Sequence, residues 1–78
     1  MKFVEVLALA GKNKKVGNHR VVIHSDGTRE FYYYSTIICR SHDSFKKFTV
    51  DDSYGTVSTK RAVNAYRKYF TEMGYKEY

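Results

Sequence analysis

The segment HRVVIHSDGTREFYYYSTIICR, residues 19–40, decides the fold class of this 78-residue chain. Three β-branched residues (21–23) precede the sequence Ser-Asp-Gly (25–27), which supplies the positive φ angle that a tight hairpin needs. The segment therefore predicts two antiparallel strands joined by a short turn. The returning strand is expected to run over about 28–40, with a bend or bulge near Ser35.

The two faces of the returning strand are predicted from its alternation, because successive side chains point to opposite sides of a sheet. The even positions carry the charges and are expected to face solvent, which leaves the odd positions for the core. The odd set is Phe31, Tyr33, Ser35, Ile37 and Cys39, and the even set is Glu30, Tyr32, Tyr34, Thr36, Ile38 and Arg40. Cys39 is thus expected to be a small buried hydrophobic residue.

The remaining N-terminal residues show weaker patterns. FVEVLAL (3–9) is apolar on both alternating sets except at Glu5, which favours a strand and leaves a short helix open. GKNKKVGN (11–18) is expected to be a turn or mobile loop. Turns are also predicted at 41–44 and 52–55, and Phe48 and Val50 are predicted to share one face of a strand between them.

Helical spacing begins at Ser58. Apolar residues recur there at intervals of three and four, at Ala62, Val63, Tyr66, Tyr69, Phe70 and Met73. Gly74 is a suitable residue to end the helix. We therefore predict a single α+β domain, 1–78: a three- or four-stranded antiparallel sheet within 2–57, with one helix, about 58–73, packed on one face.

Composition restricts the function. Fourteen Lys and Arg against eight Asp and Glu give a net charge of +6, which favours a polyanionic partner. One cysteine excludes an internal disulfide and suits a reducing compartment. The apolar run at the start is too short to cross a membrane, so we expect a cytoplasmic protein.

No catalytic or metal site is predicted. The adjacent pairs His24/Asp26 and His42/Asp43 lack a nucleophile at a useful spacing, and no zinc-ligand spacing is present. Asp51 and Asp52 are neighbours on a strand end, so their side chains diverge. We therefore expect a binding protein without a cofactor, either a monomer or a small homo-oligomer.

The helix start is the first candidate site. Ser58 or Thr59 is expected to cap the helix, and Lys60 and Arg61 follow at once. Free backbone N–H groups together with these cations would bind an anion such as a phosphate. The alternative is that both cations simply point to solvent.

Two other groups of residues are candidates. Tyr32 and Tyr34 are expected on the outer face beside Arg40, as in sheets that stack bases or anchor a partner protein, unless a second layer such as residues 1–10 covers them. Cations in and near the 11–18 loop would add salt-dependent affinity for a phosphate backbone, or would form an ordinary solvated loop. These cations are Lys12, Lys14, Lys15 and Arg20.

Residues 34–66 resemble small uncharacterised proteins of tailed bacteriophages. In that group a threonine-bearing strand is followed by a short strand, a glycine and the motif T-x-S/T-T-K-R-x-x-N at the start of a helix. The matching residues are Thr36, Gly55, Thr56, Ser58, Thr59, Lys60, Arg61 and Asn64. The resemblance implies a phage accessory protein and no particular activity, and for such a protein the compartment would be the host cytoplasm.

The chain also resembles, more weakly, the sheet-plus-helix DNA-binding domains of the plant AP2 and phage integrase N-terminal type. The residues in corresponding places are Gly55, Thr56, Thr59, Val63 and Tyr66. This likeness implies backbone contacts for Arg29, Arg40 and Lys47, with Tyr32 and Tyr34 on the sheet face. The Arg- and Trp-rich first strands of those domains are missing here.

Three functions follow from these observations. The first is nucleic-acid binding by a small accessory protein. The second is inhibition of a host complex, such as a defence system or polymerase, through the same tyrosine and arginine face. The third is a structural or assembly role, in which copies pair through an unpaired sheet edge.

Overall fold

The computed structural model describes residues 2–51, 53 and 55–77, which form an α+β domain with one mixed sheet. The elements are α1 (Lys2–Ala8), β1 (Lys14–Val16), β2 (His19–Ile23), β3 (Thr28–Tyr33), β4 (Thr36–His42), a 3₁₀ turn (Asp43–Phe45), β5 (Lys47–Val50), α2 (Val57–Glu72) and β6 (Lys76–Glu77). The sheet order is β1-β2-β3-β4-β5-β6, antiparallel except for the parallel pair β5/β6. The predicted class is confirmed, but six strands exceed the three or four expected.

The N-terminal apolar segment is a helix, so the strand favoured by its sequence is wrong. Val4, Leu7 and Ala8, spaced by three and four residues, are buried. Leu9 is 76% exposed and Val6 lies partly outside the core. These two exposed apolar residues made both alternating sets of the segment look apolar, as in a buried strand. Seven residues are too few for a stable isolated helix, so packing against the rest of the domain decides the conformation.

The segment predicted as a loop at 11–18 contains the edge strand β1. It pairs with β2 so that Val16 lies opposite His19, which leaves a two-residue turn at Gly17 and Asn18. Gly17 has φ 59°, a conformation that glycine adopts at little cost. The prediction failed because three residues are too few to show an alternating pattern.

The predicted hairpin around Ser25-Asp26-Gly27 is confirmed. The β2/β3 pair closes there, with Gly27 at φ 89°. The carboxylate of Asp26 accepts a hydrogen bond from the Thr28 backbone N–H at 2.9 Å, as expected for an Asx turn. A Cβ atom on Gly27 would lie 3.0 Å from the Ser44 hydroxyl oxygen, so space as well as φ favours glycine.

The single returning strand predicted over 28–40 is two strands, β3 and β4, joined at Tyr34 and Ser35. Phe31 pairs with Cys39 and Tyr32 with Ile37, so Ile38 is an extra residue in β4. Such a bulge resets the alternation.

This bulge changes the predicted core. Phe31 and Cys39 are buried as expected, whereas Ile38 is buried and Ser35 is exposed in the turn, both against expectation. Ile37, also predicted for the core, pairs with Tyr32 and lies on the face opposite Phe31. The sequence carries no marker of the extra residue, so simple alternation was wrong from Tyr34 to Ile38 and correct again at Cys39 and Arg40. The predicted turn at 41–44 lies slightly later, since β4 continues to His42.

The C-terminal helix is confirmed, one residue earlier than predicted. Its buried residues are Thr59, Ala62, Val63, Tyr66 and Phe70. Gly74, at φ 86°, lies just past its end, where the Tyr75 N–H donates to the Phe70 carbonyl oxygen at 2.8 Å in a Schellman arrangement. Met73 is 54% exposed and does not belong to the buried stripe.

Both helices lie on one face of the sheet, which we call the inner face. Val21, Phe31 and Phe48 from the strands and Tyr66 and Phe70 from α2 are all at most 1% exposed and form the centre of the core. Val50 shares this face with Phe48, as predicted, and packs partly buried against the core. Of the turn predicted at 52–55, Asp52 and Tyr54 lie outside the described residues.

Candidate nucleic-acid interface

The face of the sheet opposite the helices, here called the outer face, carries the largest group of predicted site residues. Cross-strand partners share a face, so the residues that alternate with Val21, Phe31, Cys39 and Phe48 belong to it. They are Lys15, Arg20, Val22, Thr28, Glu30, Tyr32, Ile37, Arg40, His42, Lys47, Thr49 and Lys76.

The outer face is strongly positive. Its strand residues include five cations, Lys15, Arg20, Arg40, Lys47 and Lys76, against one carboxylate among the described strand positions, that of Glu30. A surface with such an excess of one charge attracts polyanions.

Glu30 is already engaged within the face. Its carboxylate contacts His24 Nε2 at 2.6 Å and accepts a hydrogen bond from Arg40 Nη2 at 2.9 Å. The hydrogen bond with His24, and then that with Arg40, lowers the pKa of Glu30 below its ordinary value. The carboxylate therefore stays ionised near neutral pH and orients Arg40 across β3 and β4.

Tyr32 lies under a different arginine from the one expected. The guanidinium carbon of Arg20 is 4.2 Å from the centre of the Tyr32 ring, a cation–π contact between neighbouring strands. Arg40, the expected neighbour, faces Glu30 instead. The result is a layered pair of flat groups, ring below guanidinium, in the middle of the outer face.

The alternative in which residues 1–10 cover the tyrosines is contradicted by the structure. Helix α1 lies on the inner side, where the Phe3 ring stacks on His19 with 3.8 Å between centroids. Within residues 2–51, 53 and 55–77, both helices pack on that side. The outer face is left open by the part of the chain that the structure describes.

Tyr34 is held at the corner of the sheet, in the β3/β4 turn. It is 62% exposed, and its φ of 56° is uncommon for a residue with a side chain. Asn18, in the neighbouring turn, fixes it twice: the Asn18 carbonyl accepts from the Tyr34 N–H at 2.8 Å, and the Asn18 amide donates to the phenol oxygen at 3.1 Å.

The cations of the N-terminal segment are divided. Lys15 belongs to the outer face opposite Arg20, whereas Lys14 pairs with Val21 and alternation places it toward the other side. Lys12 precedes β1 and is exposed. Only one of these three lysines therefore joins the outer face through a strand position.

The predicted caps of α2, Ser58 and Thr59, are wrong. Thr56 caps the helix, because its hydroxyl oxygen accepts from the Thr59 N–H at 3.3 Å. The Lys60 N–H donates to the Thr56 carbonyl oxygen at 3.1 Å, which is the first hydrogen bond of the helix. Lys60 and Arg61 therefore lie after the residues whose backbone N–H groups could bind an anion. Both cations are exposed on α2, which packs on the inner face.

Arg29 lies on the inner face of the sheet, away from the candidate residues of the outer face. Its side chain is 12% exposed and lies over the rings of Phe31 and Phe70 on the inner side. It donates to the Ala8 carbonyl oxygen, to the Ser41 hydroxyl at 3.2 Å and to the Asp43 carboxylate at 2.8 Å. This network ties α1 to the sheet and to the 3₁₀ turn.

The groups considered for catalysis have structural partners. Asp26 binds its own turn, Asp43 receives hydrogen bonds from Arg29 and the Tyr75 hydroxyl, and Cys39 is buried as predicted. Burial raises the pKa of the Cys39 thiol, so the reactive thiolate is disfavoured. Among the described residues there is no cluster of three metal-ligating side chains.

Sequence reasoning missed Lys76 and His42 as members of the outer face, and it placed Ile37 in the core. Lys76 lies in a two-residue strand that pairs with β5, a length at which no pattern can be detected. His42 joins the face because β4 extends beyond the predicted turn. Only the alternation of a correctly bounded β4 would have identified His42.

No protein-family model, curated protein or solved structure matches the chain. No helix built from the described residues is long and apolar enough to cross a membrane.

His19 provides a test of the inner side of the sheet. Its ring lies between Phe3 and Tyr33, at centroid distances of 3.8 and 4.7 Å, and burial lowers its pKa below 6.5. Because the pKa of His19 is lower in the folded than in the unfolded state, the contribution of neutral His19 to the free energy of unfolding is fully present above about pH 6.5. It is lost as the pH falls through the folded-state pKa.

We therefore expect the wild-type free energy of unfolding to decline as the pH is lowered below 6.5. The variant His19→Phe keeps a ring in the stack and removes the titrating group, so its decline should be smaller. Urea unfolding at successive pH values measures both proteins. Parallel pH profiles would show that His19 is not desolvated as described.

Proposed function

We propose that this protein binds nucleic acid through the outer face of its sheet. The observation that carries the proposal is the combination of five cations, one internally paired carboxylate and the Arg20–Tyr32 pair on a face that the described helices leave open. Lysine and arginine side chains bind phosphates, and bases stack on aromatic rings or on arginine guanidinium planes such as that of Arg20 above Tyr32.

The positions of the cations support contact with the phosphate backbone of a nucleic acid that runs across the strands. Lys15, Arg20 and Tyr32 occupy one cross-strand row, and Glu30 and Arg40 occupy the next. Rows of this kind place positive charge at several points along a polyanion. A chain with about three or four phosphate contacts should lose about 20- to 150-fold in affinity between roughly 50 and 200 mM salt.

Paired charge removals test the proposal. Arg20→Gln with Arg40→Gln removes two cations from the outer face, and Lys60→Gln with Arg61→Gln removes two from α2. The net charge changes equally in both double variants. Fluorescence anisotropy with a labelled oligonucleotide should show a loss of about 10- to 100-fold for the first and little change for the second.

The same experiment separates the anion site expected at the helix start from the outer face. A larger loss for the α2 variant would contradict the proposal and favour the helix start. Equal losses would indicate attraction by net charge without a defined face. Absence of binding by the wild-type protein at roughly 50 mM salt would remove nucleic acid as the partner.

An acidic protein is the second candidate partner, favoured by the same Arg20–Tyr32 pair. Tyrosine and arginine dominate the residues that carry protein–protein binding energy. The resemblance of residues 34–66 to small tailed-phage proteins supports an accessory role of either kind in an infected cell. Capture of one host protein by the wild type, lost in Tyr32→Ala, would favour this candidate over nucleic acid.

A further inference from the structure

We infer that the outer face takes single-stranded nucleic acid, one nucleotide of which enters a pocket at the corner of the sheet; the inference rests on the proposed function. The pocket lies between the β1/β2 and β3/β4 turns and has a volume of about 480 Å³. Small-molecule sites are typically about 300–1,000 Å³. Its lining residues are Lys15, Asn18, Arg20, Tyr34 and Ser35.

The lining matches the parts of a nucleotide. Lys15 and Arg20 supply positive charge for a phosphate, and they lie opposite each other on neighbouring strands. Tyr34 supplies an exposed ring on which an unstacked base can lie. The Asn18 amide and the Ser35 hydroxyl can exchange hydrogen bonds with base or sugar edges.

The conformation of Tyr34 is the second observation. A tyrosine with φ 56° costs free energy that glycine or asparagine would not, and strained residues concentrate at functional sites. Asn18 bonds to both ends of Tyr34, and the Tyr33 ring packs 4.7 Å away on one side. The ring is therefore positioned before any ligand arrives, which reduces the entropy lost on binding.

The dimensions of the sheet favour a single strand over a duplex. Six strands at about 4.8 Å spacing make the face about 24 Å across, whereas the major groove of B-form DNA is about 12 Å wide. The whole face therefore cannot enter the groove. A base inside a duplex cannot reach the corner pocket unless it leaves the stack, which costs free energy that a single strand does not pay.

Binding to three labelled probes tests the inference: single strands of DNA and of RNA, about 12 nucleotides long, and the DNA duplex of the same sequence. Tyr34→Asn removes the ring while keeping a residue that tolerates positive φ. Phe45→Asn is the matched control, because Phe45 is 74% exposed in the 3₁₀ turn and does not line the pocket. Circular dichroism verifies that both variants are folded.

The wild type should bind one or both single strands at least about tenfold more tightly than the duplex. Tyr34→Asn should weaken single-strand binding about 5- to 30-fold and duplex binding hardly at all, and Phe45→Asn should change neither. Equal or tighter duplex binding, or an equal effect of Tyr34→Asn on all probes, would overturn the inference and leave the proposed function standing. Failure of the wild type to bind any probe would overturn both.

Discussion

Replacing Phe70 with alanine is expected to lower the free energy of unfolding by about 3–5 kcal/mol. The Phe70 side chain is fully buried on the inner side of α2. Its ring lies 5.6 Å from that of Phe31, 5.5 Å from that of Phe48 and 4.9 Å from that of Tyr75. Truncation removes contacts to β3, to β5 and to Tyr75 just before β6, and leaves a cavity that these rings cannot close.

The expected loss is a large fraction of the total stability of a chain of this length. Phe70→Leu is therefore a useful second variant, since it keeps most of the apolar volume and should remain folded. Met73→Ala is the control, because Met73 is 54% exposed and its truncation should change stability by less than about 0.5 kcal/mol. In urea unfolding, similar midpoints for Phe70→Ala and Met73→Ala would contradict the described core.

Replacing Arg29 with alanine is expected to cost about 2–4 kcal/mol, although Arg29 is a charged residue. The substitution removes hydrogen bonds to the Ala8 carbonyl, the Ser41 hydroxyl and the Asp43 carboxylate. Ser41 is fully buried, so its hydroxyl would lose the arginine that now donates to it. The flat guanidinium also covers the Phe31 and Phe70 rings.

The exposed pair Arg40–Glu30 provides the comparison. The Arg40 side chain is 44% exposed, and an ion pair at that exposure contributes about 0–1 kcal/mol. Arg40→Ala should therefore change the free energy of unfolding much less than Arg29→Ala. Each variant removes one arginine, and the two arginines lie on the neighbouring strands β4 and β3. A loss for Arg29→Ala no larger than that for Arg40→Ala would show that the buried network does not stabilise the fold.

The fold was predictable where a pattern was long or a turn was specific. The helix α2 has a stripe of buried residues over four turns, and the β2/β3 hairpin has the Ser-Asp-Gly sequence at 25–27. Elements of two, three or seven residues, namely β6, β1 and α1, lie below the length at which periodicity can be recognised. Their conformations depend on contacts with residues distant in sequence.

The candidate site was predicted in part for the same reason. Alternation placed Tyr32 and Arg40 on one face because both lie in well-patterned strands on either side of the bulge. Sequence reasoning did not distinguish Arg29, which lies on the inner face, from the arginines of the outer face. Arg29 is held on the inner face by hydrogen-bond acceptors in α1 and the 3₁₀ turn, which are distant in sequence. Nor did sequence reasoning locate Tyr34 in a turn, because the turn at 34–35 lacks glycine, asparagine and proline.

A map of where an oligonucleotide touches the protein tests the assignment of the outer face most directly. Backbone amide resonances should be followed by NMR while a short single strand is added at roughly 50 mM salt. We expect the largest shifts in Lys15, Arg20, Tyr32, Tyr34 and Arg40, with the resonances of α2 nearly unchanged. Shifts concentrated at Lys60 and Arg61, or no shifts at any concentration of the strand, would contradict the assignment of the outer face as a nucleic-acid interface.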